Sequence, residues 1–156
     1  MNRPDPVPLP TKLFSSPLSR AAQTLEITFS EILKRTNIRP YIIEDLREMI
    51  GIHTTDKRRT KSYIQQTFPN FDIEPEFTEE DELWTPTSRE TDAEMEPRLK
   101  RALDHIFSSL LDEDDTYFSV TAHSGTIAAA LRVLGHREYR LPTGGVIPVV
   151  IRAAPV

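Results

Sequence analysis

Four polar residues in this sequence stand where predicted strands give way to helices. His123 and Ser124 lie between a β-branched run and an alanine-rich helical run, and Arg20 falls in the first turn of a helix that follows a short strand. Glu48 comes shortly after another strand candidate. Ligands bind at the carboxyl ends of parallel strands, where helix N-termini offer free amides and a partial positive charge. The pattern therefore indicates a site for an anion.

Each of these side chains has a chemical role that fits such a site and a plainer structural one. Arginine suits bidentate contact with phosphate, histidine donates a hydrogen bond or proton near neutral pH, and a carboxylic acid can protonate a leaving group. On the local pattern alone, Arg20 is equally an exposed helix residue, Glu48 a surface carboxylate and His123 a capping residue. Both interpretations stay open at this point.

Other chemistries receive less support. Residues 122–126 depart from the Gly-x-Ser-x-Gly pattern of hydrolase serines at both outer positions, so Ser124 is not predicted to be a nucleophile. The basic run 57–61 is typical of a solvated helix face, although it could steer an anionic substrate. The chain has no cysteine and its four histidines lack ligand spacing, so neither a metal site nor a cofactor is predicted.

Composition limits the class of protein. With 156 residues, one domain is expected. The formal charge of -5 disfavours a nucleic-acid partner. Four prolines in the first ten residues predict a tail over 1–11, followed by a domain over 12–156. No apolar run reaches the length of a membrane span, so we expect no membrane partner and a cytoplasmic location.

The elements that would position these residues alternate along the chain. Strands and helices in alternation predict a three-layer α/β/α fold with a mostly parallel sheet. A surface excursion is expected over 69–89. Strands are predicted over 12–16, 41–43, 117–122 and 146–151, and helices over 17–35, 57–68, 91–111 and 126–134. Ser16 is predicted to cap the first of these helices.

Separate stretches of this sequence, in the right order, resemble the signatures of one family. They are Ser16-Pro17-Leu18-Ser19-Arg20-Ala21-Ala22-Gln23-Thr24, Leu46-Arg47-Glu48 with Gly51, Ala122-His123-Ser124-Gly125, and the stretch 141–148. The set resembles the histidine phosphatase superfamily, the phosphoglycerate-mutase-like proteins, and residues 54–59 and 77–84 are similar to a fungal branch of it. The resemblance implies that Arg20, His123 and Ser124 bind phosphate. It also implies that Glu48 is the acid and His123 the second catalytic histidine, with Ser16, His53 and Arg58 near the substrate.

One motif of that family is not found in this chain. Its members begin with a strand ending in Arg-His-Gly, whose histidine becomes phosphorylated, and no such tripeptide occurs among these 156 residues. The resemblance therefore implies a phosphoglycerate-mutase-like fold without the first strand, the nucleophile and the following helix. Phosphatase activity is then expected to be weak or absent.

Three functions remain open, all directed at a small anionic or phosphorylated metabolite. The chain is a weakened phosphatase, a non-covalent acid–base enzyme of specialised metabolism (a cyclase, isomerase or lyase), or a non-catalytic binding protein. A sheet without its first strand exposes apolar surface, which normally finds a partner. We therefore expect a homodimer or a larger assembly.

Overall fold

A computed structural model of the chain describes residues 8–109 and 117–152. Four strands form one parallel sheet in the order β3-β2-β1-β4. The strands are β1 (Lys12–Ser15), β2 (Tyr41–Ile42), β3 (Asp72–Ile73) and β4 (Phe118–Thr121). The helices are α1 (Ser19–Thr28), α2 (Ser30–Arg35), α3 (Lys61–Thr67), α4 (Asp92–Ser109) and α5 (Ser124–Val133), with short 3₁₀ turns at Glu44–Leu46 and Thr54–Asp56.

Apolar side chains alternate between the two faces of the sheet. Leu13 and Ile42 pack in a buried cluster with residues of α1 and α3, whereas Phe14 and Ile43 pack in a second cluster with residues of α4 and α5. Successive strand residues point to opposite faces, so the central strands β1 and β2 contribute to both clusters. Helices therefore cover both faces, and the predicted α/β fold with a parallel sheet is confirmed.

The register of the central strands brings two of the predicted site segments together. Ser15 at the end of β1 pairs with Thr121 at the end of β4, and the Ser16 amide donates to the Thr121 carbonyl at 3.0 Å. On the other side, the Ile43 amide donates to the Ser15 carbonyl at 3.1 Å. The chain segments that follow β1, β2 and β4 thus leave the sheet at one edge.

The prediction of one helix over 17–35 was wrong in two respects. The helical stripe is interrupted at Phe29, where φ is -103° and ψ is 17°, and it continues as α2. The interruption leaves Phe29 and Leu33 packed against the first cluster. The first helix also begins after Leu18, and Ser16 does not cap it. Instead, the Ser16 hydroxyl accepts from the Leu18 amide at 3.3 Å and faces His123.

The predicted last strand is not formed. Residues 144–152 contain no strand, and Val146 and Val150 are 86% and 92% exposed. A strand needs a hydrogen-bonded neighbour, and none of the strands described here pairs with this segment. Conversely, β3 was missed within the predicted excursion because it is only two residues long.

The remaining boundaries differ by a few residues. Helix α3 begins at Lys61 because the Thr60 hydroxyl accepts the Tyr63 amide as its cap. Of the predicted tail, 1–7 lie outside the described residues, and Thr11 already donates to the Tyr117 carbonyl beside β4 at 2.9 Å. Residues 110 and 111 of the predicted helix 91–111 also lie outside them. Among the described helices, none is long and apolar enough to cross a membrane.

Candidate functional site

His123 stands where β4 ends and α5 begins, beside the end of β1. Its Nε2 lies 2.8 Å from the hydroxyl oxygen of Ser16, which is fully buried. That hydroxyl oxygen also accepts the Leu18 amide. The contact between Ser16 and Nε2 therefore fixes the orientation of the imidazole.

His123 is uncharged at neutral pH. Burial, together with the positive charges of Arg20, Arg98 and Arg47, lowers the pKa of His123 from 6.5 to about 3. Burial is the largest cause, and the three guanidinium groups all act in the same direction. The surroundings of the imidazole are thus electropositive, and an anion placed there would be stabilised.

Glu48 also contacts the beginning of α5. One carboxylate oxygen accepts the Met49 amide at 2.9 Å, and the other lies 3.4 Å from the Gly125 amide. A Cβ atom at Gly125 would overlap the Glu48 carboxylate, so a larger residue here would displace the end of the Glu48 side chain. Ser124 is exposed beside them at the first position of the helix. The predicted acid and the predicted histidine therefore share one helix N-terminus.

Side chains of α4 and α5 hold the backbone before Glu48 through hydrogen bonds. Arg98 donates to the carbonyls of Asp45 at 2.7 Å and Arg47 at 3.0 Å, and it pairs with Glu90 at 2.6 Å. Thr126 in α5 also donates to the Arg47 carbonyl, at 2.9 Å. The sequence analysis did not predict this role of Arg98. The signal that could have indicated it is the position of Arg98 on the apolar stripe of the predicted helix 91–111.

A buried ion pair joins the turn before Glu48 to the loop that contains Asp81. The guanidinium of Arg47, wholly buried, donates to both carboxylate oxygens of Asp81, at 2.8 and 2.7 Å. Burial alone would raise the pKa of Asp81, but the hydrogen bonds and charge of Arg47 hold that pKa below its ordinary value. Asp81 therefore stays ionised, and the residues that precede Glu48 are fixed in place.

Arg20 extends from the first turn of α1 over the 3₁₀ turn Thr54–Asp56. Its guanidinium donates to the Thr55 carbonyl at 2.6 Å and lies 3.9 Å from the Asp56 carboxylate, while its side chain stays 48% exposed. Beside it lies a cavity of about 610 Å³, lined by 18–20, by most of 54–60 and by Glu80. Arg20 thus borders both this cavity and the surroundings of His123, whose pKa it lowers.

The two other predicted pocket residues differ in their surroundings. His53 is exposed, does not line the cavity, and is bonded through its carbonyl to the Trp84 indole N–H at 3.0 Å. Arg58 reaches the cavity wall, but its side chain is buried and donates to Glu44 at 2.6 Å and to the Thr78 hydroxyl at 2.8 Å. Because these groups occupy its guanidinium, Arg58 stabilises the loop and offers little to a substrate.

The chemical groups at this site are suited to an anion. Within 8–109 and 117–152, no group of three or more histidine or carboxylate side chains is placed to hold a metal ion. The groups that converge are an uncharged imidazole, a carboxylate, an exposed guanidinium and the N-termini of two helices. Such a set can bind an anion and pass a proton to or from it.

Comparison with known proteins identifies the family. Residues 7–143 match the model of the histidine phosphatase superfamily, branch 1. A "Probable phosphoglycerate mutase" of Arthroderma benhamiae is 46% identical over 148 residues, which cover 94% of this chain and 43% of that protein. "Phosphomutase-like protein 3" of Candida albicans is 42% identical, and a "Probable phosphoglycerate mutase" of Saccharomyces cerevisiae is 38% identical. These matches cover 92% of this chain in both cases, and 44% and 54% of the two relatives.

Solved structures give a more distant likeness. A mycobacterial glucosyl-3-phosphoglycerate phosphatase superposes with a TM-score of 0.48 at 21% identity, covering 83% of this chain and 61% of its own. The chain spans about half the length of the curated relatives it matches. Because the family model extends over most of the sequence, the chain belongs to the histidine phosphatase superfamily.

Proposed function

We propose that this chain binds a phosphorylated or otherwise anionic metabolite between Arg20, His123 and Glu48, and that its own phosphatase turnover is weak or absent. One observation carries the proposal: an uncharged imidazole, held by Ser16, lies beside a helix N-terminus and within the influence of three arginine charges. An anion would offset the positive charge around the imidazole, whereas a cation would add to it. We also expect the protein to be cytoplasmic.

Arg20 is the ligand we assign to the phosphate oxygens. Its guanidinium has five N–H donors, and the Thr55 carbonyl takes one of them at 2.6 Å. Its half-exposed side chain leaves other donors free to face a bound anion. The N-termini of α1 and α5 supply further N–H groups at the same edge of the sheet.

Glu48 is the group we assign to proton transfer. Its carboxylate is held by two backbone amides beside the helix on which His123 is the cap. A carboxylic acid in this place can protonate the leaving oxygen of an ester. That role accords with the position of the acid in the family's signature.

The covalent step of the family has no obvious agent among these 156 residues. None of the four histidines lies in an Arg-His-Gly tripeptide, and His123 directs Nε2 at Ser16. An imidazole committed to an internal hydrogen bond does not attack phosphorus readily. We therefore expect binding to be much stronger than turnover.

A second candidate function is non-covalent acid–base catalysis on a non-phosphate anion, as in a cyclase, isomerase or lyase. It is favoured by the shared position of Glu48 and His123 at the start of α5. It is disfavoured because a base whose conjugate acid has a pKa of about 3 accepts a proton poorly at neutral pH. A purely binding role requires no such base, so we rank it above this alternative.

Calorimetric titration with inorganic phosphate tests the proposal. Arg20→Ala should weaken binding by a factor of ten or more, because a hydrogen bond to a charged group contributes about 1.5–3 kcal/mol. Arg35→Ala, which removes the same charge from the exposed end of α2, is the matched control and should leave binding unchanged. Equal effects of the two changes, or no phosphate binding at all, would contradict the assignment.

Turnover of p-nitrophenyl phosphate tests the second half of the proposal. The purified chain should hydrolyse it no faster than Glu48→Gln or His123→Ala does. Hydrolysis at rates usual for the family would show that a histidine of this chain acts as the nucleophile after all. Turnover of a non-phosphate anion that both substitutions abolish would favour the acid–base alternative.

A further inference from the structure

Two parts of the proposed site depend on backbone that has little regular structure of its own. Glu48 and the turn that receives Arg20 both lie within residues 47–60, which contain no α-helix or strand and only the 3₁₀ turn Thr54–Asp56. Arg20 donates to the Thr55 carbonyl of that turn at 2.6 Å. Hydrogen bonds from outside 47–60 are therefore needed to fix Glu48 and Arg20 relative to each other.

The buried carboxylate of Asp81 is the centre of such hydrogen bonds. Its five N–H donors are the two terminal nitrogens of Arg47, at 2.8 and 2.7 Å, and the amides of Arg58 at 2.8 Å, Leu83 at 3.2 Å and Trp84 at 3.1 Å. A carboxylate offers about four lone-pair positions, so this one has no capacity left for a ligand. Asp81 can therefore act on the site only through the groups that it holds.

One of these groups, the guanidinium of Arg47, connects the two parts of the site. Arg47 directly precedes Glu48 in the chain. Its guanidinium donates both to Asp81 and to the Asp56 carbonyl, at 2.7 Å, in the turn that receives Arg20. Asp81 thus holds the side chain that joins the backbone of Glu48 to that turn.

The loop around Asp81 also holds the turn at both of its ends. The Arg58 amide, which Asp81 accepts, lies just after the turn. The Trp84 indole N–H donates to the His53 carbonyl, just before the turn, at 3.0 Å. Residues 81–84 therefore span the turn Thr54–Asp56 from one side to the other.

We infer that Asp81 is a positioning residue, which sets the placement of Arg20 relative to Glu48 through Arg47 and the turn Thr54–Asp56. The inference rests on the proposed function, since it takes Arg20 as the ligand of the anion and Glu48 as the acid. It goes beyond that function by assigning a role to a residue that does not line the cavity beside Arg20.

Calorimetric titration of Asp81→Asn with inorganic phosphate tests the inference. The affinity should fall by about tenfold or more, because an amide cannot accept from Arg47 and Arg58 together and a small misplacement of a ligand group is costly. Asp72→Asn is the matched control. It removes the same charge from a carboxylate paired with Arg39 at 2.7 Å, in β3 at the far edge of the sheet from β4, and should change the affinity less than about twofold.

A second variant separates positioning from stability, and it also serves if Asp81→Asn does not fold. Arg47→Met/Asp81→Leu removes both buried charges, so urea unfolding should show it to be more stable than Asp81→Asn. Its phosphate affinity should stay low, because the connection is still missing. Ile106→Ala, a buried change in α4, lowers stability alone and should change the affinity of the folded chain less than about twofold. An affinity that recovers with stability in the double variant would show that Asp81 serves only folding.

Nuclear magnetic resonance gives a readout that needs no bound phosphate. In Asp81→Asn, the signals of the Gly125 amide and of the Arg20 Nε–H should shift. The first group contacts Glu48 and the second belongs to the side chain on the turn, and neither donates to Asp81. Shifts confined to the direct donors Arg58, Leu83 and Trp84 would contradict the inference.

The outcomes separate this inference from the proposed function. If phosphate binds in an Arg20-dependent manner and Asp81→Asn binds it equally well, the inference is wrong and the proposed function stands. If the unaltered chain does not bind phosphate, the proposed function fails, and the two resonance signals decide whether Asp81 positions these groups. Circular dichroism of each variant confirms that it is folded.

Discussion

The protonation state of His123 links the site to the stability of the fold. A histidine whose pKa is about 3 when folded has a pKa near 6.5 when the chain is unfolded. Between these two values the unfolded chain binds the additional proton. The contribution of His123 to stability is therefore fully present above about pH 6.5 and is lost as the pH falls toward 3.

His123→Gln should flatten this pH dependence, since glutamine does not titrate and can still accept from Ser16. From pH 7 to pH 5.5, the free energy of unfolding of the unaltered chain should fall by about 1–2 kcal/mol more than that of the variant, given a limit of about 1.4 kcal/mol per pH unit. Urea unfolding at several pH values measures both slopes. Parallel slopes would mean that His123 has the same pKa in the folded and unfolded chain.

Gly125 tests the contact between Glu48 and the start of α5. Gly125→Ala should destabilise the chain by about 0.5–1.5 kcal/mol, because the new methyl group displaces the Glu48 carboxylate from the Gly125 amide. The φ angle of Gly125 is not positive, so alanine fits the helical backbone itself. In a Glu48→Ala background the same change should therefore stabilise, by about 0.5–1 kcal/mol, since alanine is the better helix residue.

Thermal unfolding of the four proteins in this double-mutant cycle measures the reversal of sign. The change of sign is expected because Gly125→Ala is unfavourable only while the Glu48 carboxylate lies against residue 125. A loss of stability in both backgrounds would place the cost of Gly125→Ala somewhere other than Glu48.

Among elements, α4 does more than cover the sheet, because Arg98 ties it to the turn before Glu48. Arg98→Met keeps the apolar stem but leaves the buried Glu90 carboxylate without its cation, with the Ile50 amide as its remaining partner, which should cost about 3–5 kcal/mol. Arg101→Met is the matched control, since Arg101 also reaches Asp45 from α4 but is largely exposed. It should cost less than about 1 kcal/mol.

Urea unfolding distinguishes the two changes, and phosphate binding adds a second readout. Arg98→Met should weaken phosphate binding as well, because the backbone that carries Glu48 is no longer fixed. Equal destabilisation by both substitutions would show that α4 is held by packing alone. Removing Glu90 too, with Arg98→Met/Glu90→Leu, should restore part of the stability.

The elements that could be predicted are those whose pattern is local. Strand β1, strand β4 and helix α4 follow from alternation and periodicity within a few residues of sequence. The interruption at Phe29 does not, because the apolar stripe continues through it and only packing on the first cluster bends the chain. Strand β3 is too short for a pattern, and residues 146–151 have strand composition without a strand neighbour.

The site shows the same division. Arg20, Glu48 and His123 were named from signatures in the sequence, since their residue types and order are local information. The hydrogen bonds from Arg98 that hold the backbone before Glu48 could not be predicted, because they join residues about fifty positions apart. The basic run at 57–61 was interpreted as a solvated helix face. In the structure its first four residues precede α3 and line the cavity, since Thr60 caps the helix later than expected.

In the molecule as a whole, the sheet is open at β4. This strand pairs with β1 on one side, and no strand among 8–109 and 117–152 pairs with its other side. The unpaired amides and carbonyls of an edge strand are available to another chain. An apolar segment also lies exposed in this chain, with Val146 and Val150 almost fully accessible to water. An open edge and an exposed β-branched segment in one molecule favour self-association.

We therefore keep the prediction of a homodimer or larger assembly, and light scattering tests it. The unaltered chain should have at least twice the mass of the 17.8 kDa monomer. Val146→Asp/Val150→Asp should shift it toward the monomer, because charge prevents burial of that segment. Ile27→Asp, at an apolar position of α1 that is 74% exposed, is the control and should leave the mass unchanged. A monomer for the unaltered chain at every concentration would contradict the prediction. It would mean that water satisfies the edge of β4, which has four residues and is short enough to limit mispairing.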